Sequence, residues 1–204
     1  MKKFFISKSL NLVKEMNPEY DEDKLDEIRY GLEATYLSLT KLVVILLASF
    51  LLGLLKESII LLLFFNGLRI TGFGLHASKS WMCWVSSSLV FLVLPYLCSI
   101  LIIPNGLKII LSIVCIINFI LYAPADTVKR PLIHKKRRTI YKIVTVMISI
   151  IYAYFVLTTN KTFIQNSLIS AMLIEGVLIN PFVYKLFRLP YANYKTYKLS
   201  TVQD

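Results

Sequence analysis

Acidic residues thin out along this chain: after Glu57, only Asp126 and Glu175 precede the terminal Asp204. A carboxylate pair for acid–base chemistry therefore has few candidates. Cysteine is scarce too. The three cysteines lie in or beside apolar segments and cannot make a closed disulfide set, which argues against a disulfide scaffold. With two histidines, one of them near a cysteine, the three or four convergent ligands of a metal site are missing, and so is an H-E-x-x-H signature. No metal and no cofactor is expected. The stretch Gly74-Leu-His76 offers no serine nucleophile, and neither a long repeat nor an interdomain linker is present.

What the chain does have is apolar length. Hydrophobic residues make up 56% of its 204 positions, against about 45–50% in a soluble domain. The mean hydropathy of +0.65 comes from unbroken runs at 42–55 and 59–65, which read as bilayer spans. Six candidate spans follow, at 38–55, 58–70, 81–103, 107–123, 139–157 and 162–187. The second is too short to cross a bilayer and ends in Asn66, Gly67 and Arg69, so it is expected to continue as irregular backbone shielded by protein. The fold class is all-α, a polytopic membrane protein of about six segments forming a single integral-membrane domain over 1–204.

The net charge of +11 would suggest nucleic acid in a soluble chain. Here the basic residues lie between apolar runs, so membrane lipid is the expected partner and nucleic acid is not. With the N-terminus inside, twenty of the 23 Lys and Arg face the cytoplasm and only Lys56, Lys108 and Lys161 face out. This asymmetry sets a multi-pass topology in the cell membrane with both termini and the segment 69–83 cytoplasmic. Residues 1–36 read as a cytoplasmic amphipathic and acidic helical region, 37–187 as the transmembrane core and 188–204 as a cytoplasmic tail. Phe5, Ile6, Leu10, Val13 and Met16 recur at helical spacing with lysines between them, as in an interfacial helix. Lys8 interrupts the apolar stretch and no small-residue cleavage site follows, so this segment is expected to be retained. Asn17, Pro18 and the acids from Glu19 look like the capped start of a helix leading into the first span.

One stretch brings histidine and cysteine close together: Arg69-Ile-Thr-Gly72-Phe-Gly74-Leu-His76-Ala-Ser78-Lys-Ser80-Trp-Met-Cys83. A seven-residue offset turns a helix through about 700°, which places His76 and Cys83 on one side. Cysteine attacks as the thiolate, and an adjacent imidazole can supply the base that makes it. His76 with Cys83 would then be a thiol peptidase or acyl-transferase pair. The alternative is that Cys83 packs in a helix while His76 caps a loop. Spacing alone leaves both open.

Arg69, Gly74, His76-Ala77 and Cys83, together with Tyr122-Ala-Pro124-Ala-Asp126-Thr, resemble the accessory gene regulator B (AgrB) family of Gram-positive quorum-sensing systems. The likeness extends to length, number of spans and the basic loop. It implies a membrane-embedded cysteine endopeptidase with His76 and Cys83 as its catalytic pair. Such an enzyme cleaves the C-terminal tail of a small autoinducing-peptide precursor, holds the acyl part as a thioester and passes it to a side chain of the peptide, closing a thiolactone or lactone. It also suggests a homodimer. Relatives commonly carry adjacent glycines before the histidine, whereas here Phe73 separates Gly72 from Gly74.

Further residues have paired readings. Glu175, about halfway along the last apolar segment, is either functional or a structural acid. Asp126, at the cytoplasmic end of the fourth span, either orients His76 or acts as a cap or a partner for Arg130. Ser78 and Ser80 either donate to an oxyanion or cap the loop. Arg69 either grips a substrate carboxylate or pairs with Asp126 or Glu175. Gly72 and Gly74 allow positive φ or close approach of a substrate backbone. The basic loop carrying Lys129, Arg130, Lys135 and Lys136 anchors the chain to anionic lipid, and the resemblance adds a precursor's acidic tail as its ligand. His134 has no cysteine in its own loop, and Cys98 and Cys115 read as packing residues. Two non-enzymatic readings stand beside the peptidase: a peptide carrier with a polar path at 66–80 and Glu175, and a scaffold in which His76 and Cys83 do nothing.

Overall fold

The structure, a computed structural model, describes residues 2–75, 80–127 and 132–195. Nine α-helices account for most of these residues, and none of them forms a strand: α1 (Lys2–Met16), α2 (Glu22–Leu51), α3 (Leu55–Gly72), α4 (Ser80–Ser88), α5 (Leu94–Ile100), α6 (Asn105–Tyr122), α7 (Lys135–Thr158), α8 (Thr162–Ile179) and α9 (Pro181–Leu186). A π-helical turn, Leu89–Val93, joins α4 to α5 without a break. Five stretches are long and apolar enough to cross a membrane: α2 from Lys24, the α4–α5 rod from Trp81, α6, α7 and α8. The chain is thus a helical, multi-pass membrane protein.

Three boundaries differ from the sequence reading, each for a local reason. The second segment is a continuous 18-residue helix rather than a short span that dissolves at Asn66 and Gly67. Gly67 is a packing glycine, because the Tyr152 hydroxyl occupies the place a side chain would take and donates to the Phe64 carbonyl at 3.0 Å. Lys56, Glu57 and Arg69 make α3 the most charged of the bundle's 18-residue helices. The acidic helix and the first span are one rod, α2, which starts where the Asp21 side chain accepts from the Lys24 amide at 2.8 Å. The last apolar run divides at Asn180–Pro181, where the residue before proline is pushed out of helical backbone and Asn180 caps the short α9.

Proline also explains the π turn. Pro95 has no N–H to give to the Phe91 carbonyl one turn back, and Ser58 of α3 supplies the missing donor at 2.8 Å. Sequence, helix defect and helix–helix contact are one feature here.

The bundle is built around α8. Half of its span is buried inside the protein, against 22% for α6 and α7, and it packs on α3, α5, α6 and α7. Leu68, Phe119, Met172, Ile179 and Tyr184 form the main core. The outer helices keep apolar faces exposed, such as Ile110, Ile113, Ile117 and Leu121 on α6, which is the surface a bilayer covers. At the N-terminus, α1 packs on α2 with Ile6 buried and Phe5 against Tyr36, while Leu12 and Met16 stay exposed.

The connections sort to two ends. At one end the segments 52–54, 101–104 and 159–161 join helices by short turns. At the other end α3, α6 and α8 all stop, and the residues following them meet.

Candidate functional site

This meeting place is made of backbone. The amide of Gly74 donates to the Ala125 carbonyl at 2.8 Å, and Ala125 returns a bond to the Gly72 carbonyl at 3.0 Å. A parallel bridge thus pairs Phe73 with Ala125. Leu75 donates to the Leu178 carbonyl at 2.9 Å. Buried amides must find acceptors, and here the end of each helix supplies them for the next.

Arg69 locks the arrangement. Its guanidinium donates to the carbonyls of Leu75 at 2.6 Å and Gly74 at 3.3 Å, and meets the Glu175 carboxylate at 3.4 Å. All of these partners lie within the chain. Of the alternatives for Arg69, the geometry brings it to Glu175 and not to Asp126. The break at Asn180 also moves Glu175 from mid-span to four residues before the end of α8, or about 6 Å at 1.5 Å per residue. Glu175 is fully buried, and its second oxygen has no hydrogen-bond partner.

The two glycines are required by this packing. A Cβ on Gly72 would lie 2.6 Å from Glu175 Oε1, and one on Gly74 would lie 2.6 Å from Arg69 Nη1 and 2.9 Å from the Leu178 oxygen. Gly74 also has φ +85°. Phe73, the departure noted in the sequence, takes φ +61°, a region costly for a side-chain-bearing residue. Its ring stacks edge-on against Tyr141 at 5.1 Å.

Asp126 is buried and its carboxylate is fully engaged. It accepts from the backbone amides of Asn193 at 2.9 Å, Tyr194 at 2.8 Å and Leu132 at 3.3 Å. This is a cap that fastens the C-terminal segment to the loop after α6. Beside it lies a cleft of about 190 Å³, lined in part by Arg138, Lys142, Tyr191 and Tyr194, with the Arg138 guanidinium 3.7 Å from the centre of the Tyr194 ring. Burial, reinforced by the neighbouring Tyr194 and Asp126, pushes the Tyr191 phenol up to about 12. Lys135 and Lys136 are exposed in the first turn of α7.

His76, Ser78, Lys129 and Arg130 lie outside the described residues, as does the side chain of Ser80. Cys83 lies within them, in the first turn of α4. Of the three free cysteines it alone is partly accessible, while Cys98 and Cys115 are buried. Its sulfur accepts a hydrogen bond from Lys41 Nζ of α2 at 3.0 Å, and the same ammonium donates to Ser87 Oγ at 3.0 Å. The sequence reading counted Lys41 only as a charge that sets topology. In the structure Lys41 shares an inward stripe of α2 with the buried Ile45 and Ser49, a direction that its charge alone does not reveal. Among the described residues, no group of three or more His, Cys, Asp and Glu could hold a metal ion.

A helical bundle with five stretches long and apolar enough to cross a membrane, and one accessible thiol beyond a turn pinned by Arg69, defines the class: a polytopic helical membrane protein. A model of the family described as Accessory gene regulator B matches residues 6–180. The chain is 32% identical over 198 residues to a Putative AgrB-like protein of Clostridium acetobutylicum, covering 96% of this chain and 93% of the relative. A protein of the same description from Listeria monocytogenes is 29% identical over 180 residues, with 87% of each chain covered. An Accessory gene regulator protein B of Staphylococcus saprophyticus is 26% identical over 177 residues, 86% of this chain and 93% of that one. No solved structure matches. The chain belongs to the accessory gene regulator B family, and membership gives it a role in accessory gene regulator quorum sensing, consistent with peptide processing.

Proposed function

We propose that the protein is a membrane-embedded cysteine endopeptidase that cleaves the C-terminal tail from a small autoinducing-peptide precursor and promotes its cyclisation. Cys83 is the nucleophile and His76 its base. The observation that carries the reading is the singularity of Cys83: it is the one accessible thiol, at the start of a helix, with a cation on its sulfur. The thiol proton passes to His76 and the sulfur attacks the scissile carbonyl. The amine of the tail leaves with that proton, and the acyl part remains as a thioester. A thiol or hydroxyl within the peptide then attacks the thioester, releasing the ring and restoring Cys83.

In this reading Arg69, Gly72 and Gly74 hold the backbone that leads to His76, so they act on the substrate through loop shape. The basic residues at 129–130 and Lys135 and Lys136 meet the precursor's acidic tail and anionic lipid. Both termini and the site face the cytoplasm of a single integral-membrane domain, and a homodimer is compatible with this arrangement. A peptide carrier is the second reading. It is favoured by buried side-chain atoms without hydrogen-bond partners, Asn166 Oδ1, Ser167 Oγ and Glu175 Oε1 on α8 and Asn118 Oδ1 on α6.

Co-expression with the precursor separates the two. Cys83→Ser and His76→Ala should each abolish tail cleavage while the protein still inserts in the membrane. Retained cleavage in Cys83→Ser would remove the peptidase reading, and uncleaved precursor exported by both the wild type and Cys83→Ser would favour the carrier.

A further inference from the structure

We propose that Lys41 is a third catalytic residue, whose ammonium holds the Cys83 sulfur while it carries negative charge, both as nucleophile and as leaving group. This inference rests on the thiol-peptidase reading and adds to it a residue from a different helix.

The placement of Lys41 supports this. A lysine near the end of a span normally extends its head towards water. Lys41 instead turns across the bundle, sharing the inward stripe of α2 with Ile45 and Ser49, while Leu39, Val43 and Val44 keep the exposed face. Its Nζ meets Cys83 and Ser87, which lie one turn apart on α4 and so present one surface. Ser87 offers a neutral acceptor that keeps the ammonium in place when the sulfur is uncharged. Cys83 also lies in the first turn of α4, the end of a helix whose dipole favours an anion.

Charge balance shows when Lys41 acts. On transfer of the thiol proton to His76, the sulfur becomes an anion beside Lys41. In acylation the S–C bond forms, the C–N bond of the precursor breaks, and the departing amine takes the proton from His76. The sulfur is now a neutral thioester and Lys41 rests on Ser87. In ring closure a nucleophile of the peptide gives its proton to His76 and bonds to the carbonyl carbon. The S–C bond breaks and the anion returns to Lys41. The better a sulfur leaves, the faster this second exchange runs, so one cation serves both half-reactions.

The test uses the full chain reconstituted in lipid nanodiscs. Iodoacetamide alkylation of Cys83 is read by mass spectrometry across pH 5 to 9 for wild type, Lys41→Met, Lys41→Gln, Lys41→Arg and His76→Ala, alongside precursor cleavage. Lys41→Met and Lys41→Gln should slow alkylation about tenfold at pH 6.5, because the anion that attacks the reagent loses its cation. Lys41→Arg should stay within about threefold of wild type, since the cation is kept. Lys41→Gln keeps a polar side chain of similar length, so it stands in if Lys41→Met does not elute as a monodisperse protein. Superimposable profiles for wild type and both neutral variants, with His76→Ala still slowing the reaction, would overturn the role of Lys41 and leave the peptidase intact. A wild-type Cys83 that reacts as an ordinary free thiol, with no precursor cleavage, would instead remove the reading beneath it.

Discussion

Gly74→Ala tests whether the loop ahead of His76 is held as tightly as its contacts imply. Gly53 provides the control, because it too has positive φ, +71° against +85°, but a Cβ there meets nothing within 4 Å. Alanine at either position costs about 1–2 kcal/mol for its backbone conformation. At Gly74 the new methyl must also displace the Leu178 oxygen, which accepts from the Leu75 amide, and Arg69 Nη1, part of the guanidinium that holds the loop through Nη2. Moving them weakens one neutral hydrogen bond and a charge-assisted one, together about 2–4 kcal/mol. Gly74→Ala is therefore expected to destabilise by about 3–6 kcal/mol and Gly53→Ala by about 1–2. Thermal unfolding in detergent, followed by loss of monodisperse elution, reads the difference, and precursor cleavage should fall in Gly74→Ala alone. Equal shifts in the two variants would refute the claim that Arg69 and α8 clamp this loop.

Other substitutions probe the same framework. Arg69→Met should destabilise by about 3–5 kcal/mol, because it strands the buried Glu175 carboxylate. Glu175→Gln should cost less, since Arg69 keeps its loop carbonyls, and a double-mutant cycle in detergent would expose the coupling. Ser58→Ala should cost about 1–2 kcal/mol by orphaning the Phe91 carbonyl. Adding Pro95→Ala, which restores an N–H to that carbonyl, should recover part of the loss in the same unfolding assay. Asp126→Asn should cost about 1–3 kcal/mol and loosen the C-terminal segment, read as faster tryptic cleavage after Arg188. The Tyr191 phenol, raised in the folded protein, adds stability below about pH 10 that is lost as pH climbs towards 12. Tyr191→Phe should flatten that alkaline limb of the unfolding profile.

The spans were legible because lipid demands unbroken apolar length, which a sequence displays directly. Helix ends were less so. Gly67 looks like a breaker in one dimension and is a close-packing position in three, since the residue that fills its space, Tyr152, is on another helix. Asn180–Pro181 is a local stop signal overridden in the reading by the hydrophobicity on both sides of it. At the site, residue type and spacing narrowed attention to His76 and Cys83 but left the packing reading of Cys83 open, and it was the family resemblance that favoured chemistry. The partnership of Lys41 with Cys83 was not legible, because it joins positions 42 residues apart whose contact depends on how α2 leans on α4. The position of Asp126 left orienting group and cap equally open, and its surroundings commit it to three backbone amides as a cap.

The short turns at 52–54, 101–104 and 159–161 make the molecule one-sided. Helical hairpins closed this tightly leave almost nothing protruding from that surface, neither a domain to grasp a partner nor a loop long enough to fold over one. Under the proposed function, recognition of a precursor would fall to the opposite face, where α3, α6 and α8 end together. A protease added to sealed vesicles of defined orientation should meet a nearly smooth wall on one side and a ready supply of cleavable segments on the other.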